Sequence, residues 1–275
     1  MSQIRQAGAA VRTGVANTVV ILLVALALLP FLFMAATSIQ KTQRLTLSFD
    51  AAKVDLSNYV ELFTVHEFGS ALATSAIVVV LACLANVVAC SLAAFAFAKK
   101  PFPGSEQLFW VYIATMMVPG QVTLIPMFMI MRELGLLNSY IALFLPIINA
   151  FGVFLIRQFM TGIPDEMIEA ARIDGARDRR IFRSIVLPLM KPVLVALTVF
   201  TFIATWNDFL WPLVSITDDD MQTVTLAASK LGGKFTTQYG LVMAGATVSF
   251  LVPLAVYFVL QKRFVEGVTS SSVKG

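Results

Sequence analysis

Six long apolar runs, each with at most one charged residue, determine what this chain can fold into. A transmembrane helix needs about 20 consecutive apolar residues, and every run is close to that length or longer. The chain of 275 residues is 58% hydrophobic and 13% charged, whereas soluble domains are about 45–50% apolar and about 25% charged. These values exclude an ordinary soluble domain and a disordered chain. They predict an all-α membrane protein whose six transmembrane helices lie at residues 19–37, 70–98, 107–131, 136–156, 193–214 and 241–260.

The basic residues predict the orientation of these helices. With the N-terminus inside, the inner segments carry 14 Lys and Arg residues and the outer loops carry 6. This distribution agrees with the excess of Lys and Arg on the cytoplasmic side of membrane proteins, and it accounts for the pI of about 9.2 without nucleic acid. We therefore expect both termini in the cytoplasm. The domains are then a cytoplasmic N-terminus at 1–17, a six-span domain at 18–262 and a cytoplasmic tail at 263–275.

The first run could be mistaken for a signal peptide, because Arg5 and Arg12 precede it. A signal peptide has an apolar region of about 7–15 residues followed by a small-residue cleavage site. The run at 19–37 is longer, which favours a retained first helix.

The cytoplasmic segment 157–191 carries the clearest local signals. Pro164 and the two acidic residues after it suit the first turn of a helix, and Gly175 suits its left-handed end. These signals predict one short helix at 164–174. A second, basic and amphipathic segment at 178–186 should end at Pro188. Two short helices of this kind favour a docking surface for a cytosolic protein, although an amphipathic loop lying on anionic lipid is the alternative.

The same segment resembles the EAA motif of membrane subunits of bacterial binding-protein-dependent ABC importers. The matching residues are Glu169-Ala170-Ala171, then Gly175, then Ile185-Val186-Leu187-Pro188, and the fuller string from Glu169 to Ala176 resembles the carbohydrate-importer branch of the maltose and glycerol-3-phosphate type. Further resemblances lie at Asn58-Tyr59, Pro119-Gly120-Gln121, Ile125-Pro126, Arg157-Gln158-Phe159, Trp206-Asn207-Asp208-Phe209 and the tail Val273-Lys274-Gly275.

This resemblance implies a type I ABC importer permease in the bacterial inner membrane, with 157–191 as the loop that couples it to an ATPase. Glu169 and Gly175 would make the ATPase contact, with Ala170, Ala171, Arg172 and Asp174 beside them. The implied partners are a second homologous permease subunit, two cytosolic ATPase subunits, membrane lipid, and an extracytoplasmic solute-binding protein that docks on the loops 38–69 and 216–239.

The sequence predicts no enzyme and no cofactor bound by this chain. A nucleotide-binding P-loop needs G-x-x-x-x-G-K-[ST], and Gly232-Gly233-Lys234-Phe235 lacks the hydroxyl residue. The single histidine, His66, and the two unpaired cysteines, Cys83 and Cys90, do not form a metal site. ATP and Mg²⁺ should therefore be used by a separate ATPase chain.

A polar cluster in the fifth apolar run is the candidate translocation path. Carboxylates at membrane depth usually face a bundle interior or a watery cavity, and aromatic faces beside hydrogen-bonding groups suit a sugar. The alternative is a structural hydrogen-bond node with tryptophans at the membrane interface. The candidate residues are Trp206, Asn207, Asp208 and Trp211, with Asn86, Gln121 and Asn149 as weaker members of the set.

The predicted function is the permease subunit of an ATP-driven, solute-binding-protein-dependent importer of a sugar, oligosaccharide or related polyol. A stand-alone secondary transporter is the alternative, but it should have inverted repeats and a coupling carboxylate at mid-membrane; no repeat is visible. A membrane scaffold without transport activity would not need the helices at 164–186.

Overall fold

The computed structural model describes residues 2–43, 54–233 and 237–269. The regular secondary structure within these ranges is helical, apart from an isolated bridge between Gln40 and Val54, so the predicted all-α class is confirmed. The helices are α1 (Ser2–Ser38), α2 (Ser57–Thr64), α3 (Phe68–Lys99), α4 (Ser105–Ala114), α5 (Gly120–Glu133), α6 (Tyr140–Phe144), α7 (Ala150–Met160), α8 (Asp165–Ile173), α9 (Asp178–Ile181), α10 (Leu187–Leu189), α11 (Lys191–Trp206), α12 (Leu210–Ser215), α13 (Val224–Lys230) and α14 (Tyr239–Thr269).

The chain divides into two compact units. The first comprises Met1–Phe68 and Ala228–Leu251, and the second comprises Gly69–Ala227 and Val252–Gly275. All residues of the 157–191 segment and all members of the candidate translocation path belong to the second unit.

Three continuous helical stretches are long and apolar enough to cross a bilayer: Gly14–Ser38, Phe68–Lys99 and Tyr239–Val259. They correspond to the first, second and sixth predicted runs. The most apolar part of α1 buries none of its residues, as expected for a surface that faces lipid or another membrane chain.

Three further pairs of helices are bent at a short break, so the chain has up to six spans if each pair counts as one. The pairs are Ser105–Met117 with Gly120–Glu133, Tyr140–Ile147 with Ala150–Met160, and Asp178–Leu189 with Lys191–Trp206, and they bend by 103°, 46° and 76°. The predicted helices at 107–131 and 136–156 are therefore each broken into a bent pair. The predicted helix at 193–214 is interrupted between α11 and α12, and the third bent pair instead joins the segment at 178–189 to α11.

Local chemistry explains the largest bend. Val118, which precedes a proline, is extended with ψ 116°, because the proline ring disfavours the helical conformation in the residue before it. Pro119 also has a non-helical ψ of 133°. Two consecutive extended residues change the chain direction far more than an ordinary proline kink does.

In the first unit, Asn58 and Tyr59 hold the end of α1. The amide nitrogen of Asn58 donates to the carbonyls of Ser38 at 2.8 Å and Gln40 at 3.0 Å. The Tyr59 hydroxyl lies 2.7 Å from the Ser38 hydroxyl. These bonds satisfy carbonyls that the end of a helix leaves without partners, so the Asn-Tyr pair has a structural role here.

The core of the second unit packs residues of the 157–191 segment against α3, α7 and α11. Gly152 allows α7 to approach α3 closely, because a Cβ added there would lie 2.6 Å from the sulfur of Cys90. Cys90 is fully buried, and both cysteines are free thiols.

The segment 216–239 is more structured than the predicted polar loop. Residues 217–220 are exposed, but α13 follows them, and Val224 and Leu226 are buried. The backbone N–H of Val224 donates to Ser75 at 2.8 Å. Lys234 and Phe235 of the glycine-rich string and the tail residues Val273, Lys274 and Gly275 lie outside the described residues.

Candidate functional site

Helix α8 has the ends that the sequence predicts. Pro164 is its N-cap, and Asp165 and Glu166 occupy the first turn, where negative charge favours the positive helix end. At the other end, Gly175 has φ +77°. The N–H of Ala176 donates to Ala171 at 2.9 Å and that of Gly175 to Arg172 at 3.0 Å, which is the Schellman pattern of helix termination.

A buried lysine attaches the start of α8 to the end of α3. The Lys99 side chain is 3% exposed. Its Nζ donates to the carbonyl oxygen of Ile163 and to Oδ1 of Asp165, each at 2.6 Å. A buried ammonium group is stable only with such partners, so the two bonds hold the residues immediately before and at the start of α8 against α3.

A second, exposed ion-pair group ties α8 to the segment after it. Lys100 donates to Asp178, and Nη2 of Arg172 lies 3.7 Å from Oδ1 of the same carboxylate. The hydrogen bond from Lys100, helped by the charge of Arg172, lowers the pKa of Asp178 below its ordinary value. Arg172 therefore pairs with Asp178 and not with Glu169, which is three residues earlier and would be an expected helical partner.

The outward face of α8 combines acidic and apolar side chains. Glu169, Ala170 and Asp174 are exposed, whereas Ile168 is 3% exposed and packs in the core. Ile173 is 86% exposed and Met167 is 44% exposed. Sequence reasoning did not single out these two residues. Ile173 follows the buried Ile168 by five residues, which places it about 140° around the helix and away from the buried face.

The segment after α8 extends one residue past Pro188. It runs from Asp178 to Leu189, with a π-helical turn at Phe182–Val186. Pro188 has no N–H to donate to the carbonyl four residues earlier, and a wider turn accommodates its ring. The prediction that the second helix ends at Pro188 was thus early by one residue.

Arg157 is fixed at the end of α7. Its Nη2 donates to Glu106 at 2.6 Å, and its guanidinium carbon lies 3.8 Å from the centre of the Phe109 ring. The charged group therefore has both an acidic partner and an aromatic face. This contact links α7 to α4 near the start of the segment 157–191.

Three members of the predicted translocation path line one cavity of about 270 Å³: Gln121, Asp208 and Trp211. Asp208 lies in the break between α11 and α12, and its Oδ1 accepts a long 3.4 Å bond from the Trp211 backbone N–H. The indole N–H of Trp211 donates to the carbonyl of Ala142 at 2.8 Å. Only the ring of Trp211, and not its N–H, is therefore available to a solute.

The other four candidates do not line this cavity. Trp206 is buried and stacks on Phe202, and Asn207 is exposed and bonds to the backbone of its own helix. Asn86 is buried and donates to Thr201 at 2.8 Å. Asn149 caps α7 by accepting from Gly152. Their part in translocation stays a prediction.

Among the side chains that the structure describes, no group of three or more His, Cys, Asp or Glu residues could hold a metal ion.

Known transport proteins are similar to this chain in sequence. The arabinooligosaccharides transport system permease protein AraQ of Halalkalibacterium halodurans is 35% identical over 238 residues, which is 84% of each chain. The sn-glycerol-3-phosphate transport system permease protein UgpE of Salmonella typhi is 42% identical over 183 residues, covering 66% of this chain and 65% of that protein.

Solved structures show the same fold. A chain of a bacterial ABC transporter involved in the import of the acidic polysaccharide alginate has a TM-score of 0.79 and 25% identity, covering 91% of this chain and 96% of that one. A structure of a bacterial alginate ABC transporter in complex with an alginate pentasaccharide-bound periplasmic protein matches with a TM-score of 0.63 and 15% identity, covering 90% and 94%.

Residues 85–270 match the family described as binding-protein-dependent transport system inner membrane component. This match includes α7 to α13, the attached helix α8 and the cavity at Asp208. The chain therefore belongs to that family of inner-membrane transport components.

Proposed function

We propose that this chain forms half of the membrane pore of an ATP-driven importer and receives its driving force through α8. The observation that carries the proposal is the combination of a firmly attached helix with an outward face that lacks packing within the chain. Lys99 holds the start of α8 with two hydrogen bonds, while Ile173 on the same helix is 86% exposed. Together with Met167, which is 44% exposed, this side chain forms an apolar surface that suits a protein partner.

The partner is a cytosolic ATPase subunit, which binds and hydrolyses ATP with Mg²⁺. The contact surface on this chain comprises Met167, Glu169, Ala170, Ile173 and Gly175. Closure of the ATPase would move α8, and the attachment through Lys99 would carry that movement to α3. Such coupling requires that the ATPase bind one conformation of the pore better than the other.

A solute-binding protein delivers the solute to the outer side of the pore, and a second permease subunit forms the other half of the pore. The family description itself names binding-protein dependence. The cavity of about 270 Å³ at Asp208 is smaller than typical ligand pockets of about 300–1,000 Å³. We propose that it is one part of a path whose remainder lies in the second permease.

The solute is a sugar, an oligosaccharide or a related polyol. The relatives' names refer to arabinooligosaccharides and to sn-glycerol-3-phosphate. The cavity offers the amide of Gln121, the hydroxyl of Thr123 and the ring of Trp211. These groups suit the hydroxyls and the C–H faces of a carbohydrate.

The test is uptake by the assembled transporter with substitutions on α8. Glu169→Lys and Ile173→Asp should remove ATPase capture and abolish uptake, while the chain still reaches the membrane. Glu133→Lys is the matched control, because Glu133 is exposed and ends α5. Full ATPase capture and uptake in both α8 variants would contradict the proposal.

Gly175 gives an independent arm of the same test. A Cβ added at Gly175 meets no atom within 4 Å, so only the backbone φ of +77° disfavours a side chain there. Asn adopts this conformation more readily than Leu does. We expect Gly175→Leu to abolish uptake. Gly175→Asn should preserve the end of α8, so a loss of uptake in this variant would indicate that the ATPase packs directly against Gly175.

A further inference from the structure

The segment Asp178–Leu189, called here the basic helix, carries an arginine cavity that neither the family match nor the proposed ATPase contact explains. The cavity has a volume of about 540 Å³ and is lined by Arg177, Arg179, Arg180, Arg183 and Ser184. All five residues are exposed. Within the part of the chain that the structure describes, none of the four guanidinium groups forms an ion pair with a carboxylate.

Charge is separated between the two halves of the 157–191 segment. Residues 164–174 contain four acidic side chains and one basic one, whereas residues 177–184 contain four arginines and one acidic residue, Asp178. That single carboxylate is already held by Lys100 and Arg172. An anionic surface would therefore attract the basic helix and repel α8.

The bend before α11 indicates what that anionic surface is. The basic helix meets α11 at 76°. Because helices that cross a bilayer are tilted by about 20° on average, the basic helix lies within roughly 35° of the membrane plane. The basic helix is about 18 Å long, so this inclination places its far end no more than roughly 10 Å from the level at which α11 begins.

The side chains of the basic helix are arranged as in an interfacial helix. Ile181 and Val186 are fully buried in the core. The exposed stripe changes from arginines to Pro188 and Leu189 as it approaches α11, and Leu189 is 44% exposed. A stripe that is cationic at one end and apolar at the end next to the span matches the change from headgroup to acyl chain.

We propose that the arginine cavity binds the phosphate headgroup of an anionic phospholipid in the leaflet on the side of the 157–191 segment. Arginine suits this ligand because its planar guanidinium donates two parallel hydrogen bonds to phosphate oxygens. The two short helices then have separate roles: α8 remains free for a protein, and the basic helix lies on the membrane. The inference requires only that α11 crosses the bilayer, so it does not depend on the ATPase contact.

The experiment measures lipid retention by the purified full chain, without any transport subunit. Native mass spectrometry with equal amounts of phosphatidylglycerol and phosphatidylcholine should show preferential retention of phosphatidylglycerol. Juxtamembrane basic residues contribute about 1 kcal/mol each, so the triple variant R179Q/R180Q/R183Q should bind phosphatidylglycerol roughly 100-fold more weakly. The triple variant R179K/R180K/R183K keeps the charges but loses the parallel hydrogen bonds. Its retention of phosphatidylglycerol should therefore lie between that of the wild-type chain and that of the glutamine variant.

The matched control removes three positive charges from the predicted outer loops, as K41Q/R132Q/K230Q. It should lose no more than about threefold in phosphatidylglycerol affinity, because screening within about 10 Å confines the attraction to nearby charges.

If the arginine variant does not fold, the wild-type chain provides a second test. A tenfold rise in salt, from about 0.05 to about 0.5 M, should weaken phosphatidylglycerol binding but not phosphatidylcholine binding.

Four results would overturn the proposal. Equal retention of the two lipids by the wild-type chain would exclude headgroup recognition, and equal loss in the control would exclude this site. Complete displacement by inorganic phosphate would indicate a site for free phosphate. Unchanged lipid retention in the arginine variant, together with lost capture of the ATPase, would assign the cavity to a protein contact.

Discussion

Replacing Lys99 with Met should loosen α8 without unfolding the chain. Methionine preserves the length and the apolar stem of the side chain but removes the ammonium group. The Asp165 side chain is 75% exposed, so water can solvate its carboxylate after the substitution and little is lost there. The larger cost falls on the carbonyl of Ile163, which loses a charged donor at 2.6 Å in a buried site.

The size of the effect follows from that single bond. A buried acceptor left without its partner costs about 1–3 kcal/mol, and we take about 2 kcal/mol for the local attachment of α8. This corresponds to roughly 30-fold more frequent local opening. Hydrogen exchange of the peptide covering residues 162–176 should show that increase in Lys99→Met.

The neighbouring lysine provides the control. The Lys100 side chain is 45% exposed and pairs with Asp178 at the surface, and exposed pairs contribute little. Lys100→Met should therefore change exchange in the same peptide by no more than a few-fold. Protection that is unchanged in Lys99→Met, or lost equally in Lys100→Met, would refute the reasoning that the buried bond holds α8.

Three further predictions concern packing and pH. Gly152→Ala should destabilise the chain by about 1–3 kcal/mol through overpacking, because the new Cβ would lie 2.6 Å from the sulfur of Cys90; the double variant with Cys90→Ala should recover part of the loss in a thermal melt. Trp211→Phe should lower the melting temperature, because it leaves the buried carbonyl of Ala142 on α6 without its donor. The control Trp110→Phe, at an exposed position, should leave the melting temperature unchanged. The hydrogen bond from Lys100 lowers the pKa of Asp178. The stability that this carboxylate contributes is therefore complete above the ordinary Asp pKa of about 3.9 and is lost as pH falls through the lower pKa of the folded state. Amide hydrogen exchange near Asp178, corrected for intrinsic rates, should accordingly be equal at about pH 7 and about pH 5.

The ends of α8 could be predicted from the sequence because their causes are local. Pro164 and Gly175 act through their own backbone preferences, which do not depend on distant residues. The attachment of α8 could not be predicted in this way. Lys99 and Ile163 are 64 residues apart, and nothing near Lys99 in the sequence distinguishes it from the exposed Lys100.

The break in the third predicted helix could not be predicted for a different reason. A proline in an apolar run is compatible with a mild kink or with a complete break. Which of these forms depends on whether the residue before it also leaves the helical conformation, as Val118 does. Likewise, the aspartates at 218–220 indicated a loop, although Val224 and Leu226 immediately after them form a partly buried helix.

The candidate cavity was predicted in part. Gln121 and Asp208 are polar residues in apolar runs, which is the signal that identified them, and they do line one cavity. Asn86 gave the same signal but satisfies its amide within the core by bonding Thr201. Sequence position alone does not distinguish a polar residue that faces a cavity from one that joins two helices.

The amide of Asn58 has a consequence for how α1 fits the bilayer. It clamps the Ser38 end of the 25-residue stretch Gly14–Ser38, whose length at 1.5 Å per residue is about 37 Å. The hydrocarbon layer is about 30 Å thick, so some five residues are surplus to it. Because one end is anchored, this hydrophobic mismatch has to be relieved by inclination of α1 or by emergence of its first turns from the opposite face of the membrane.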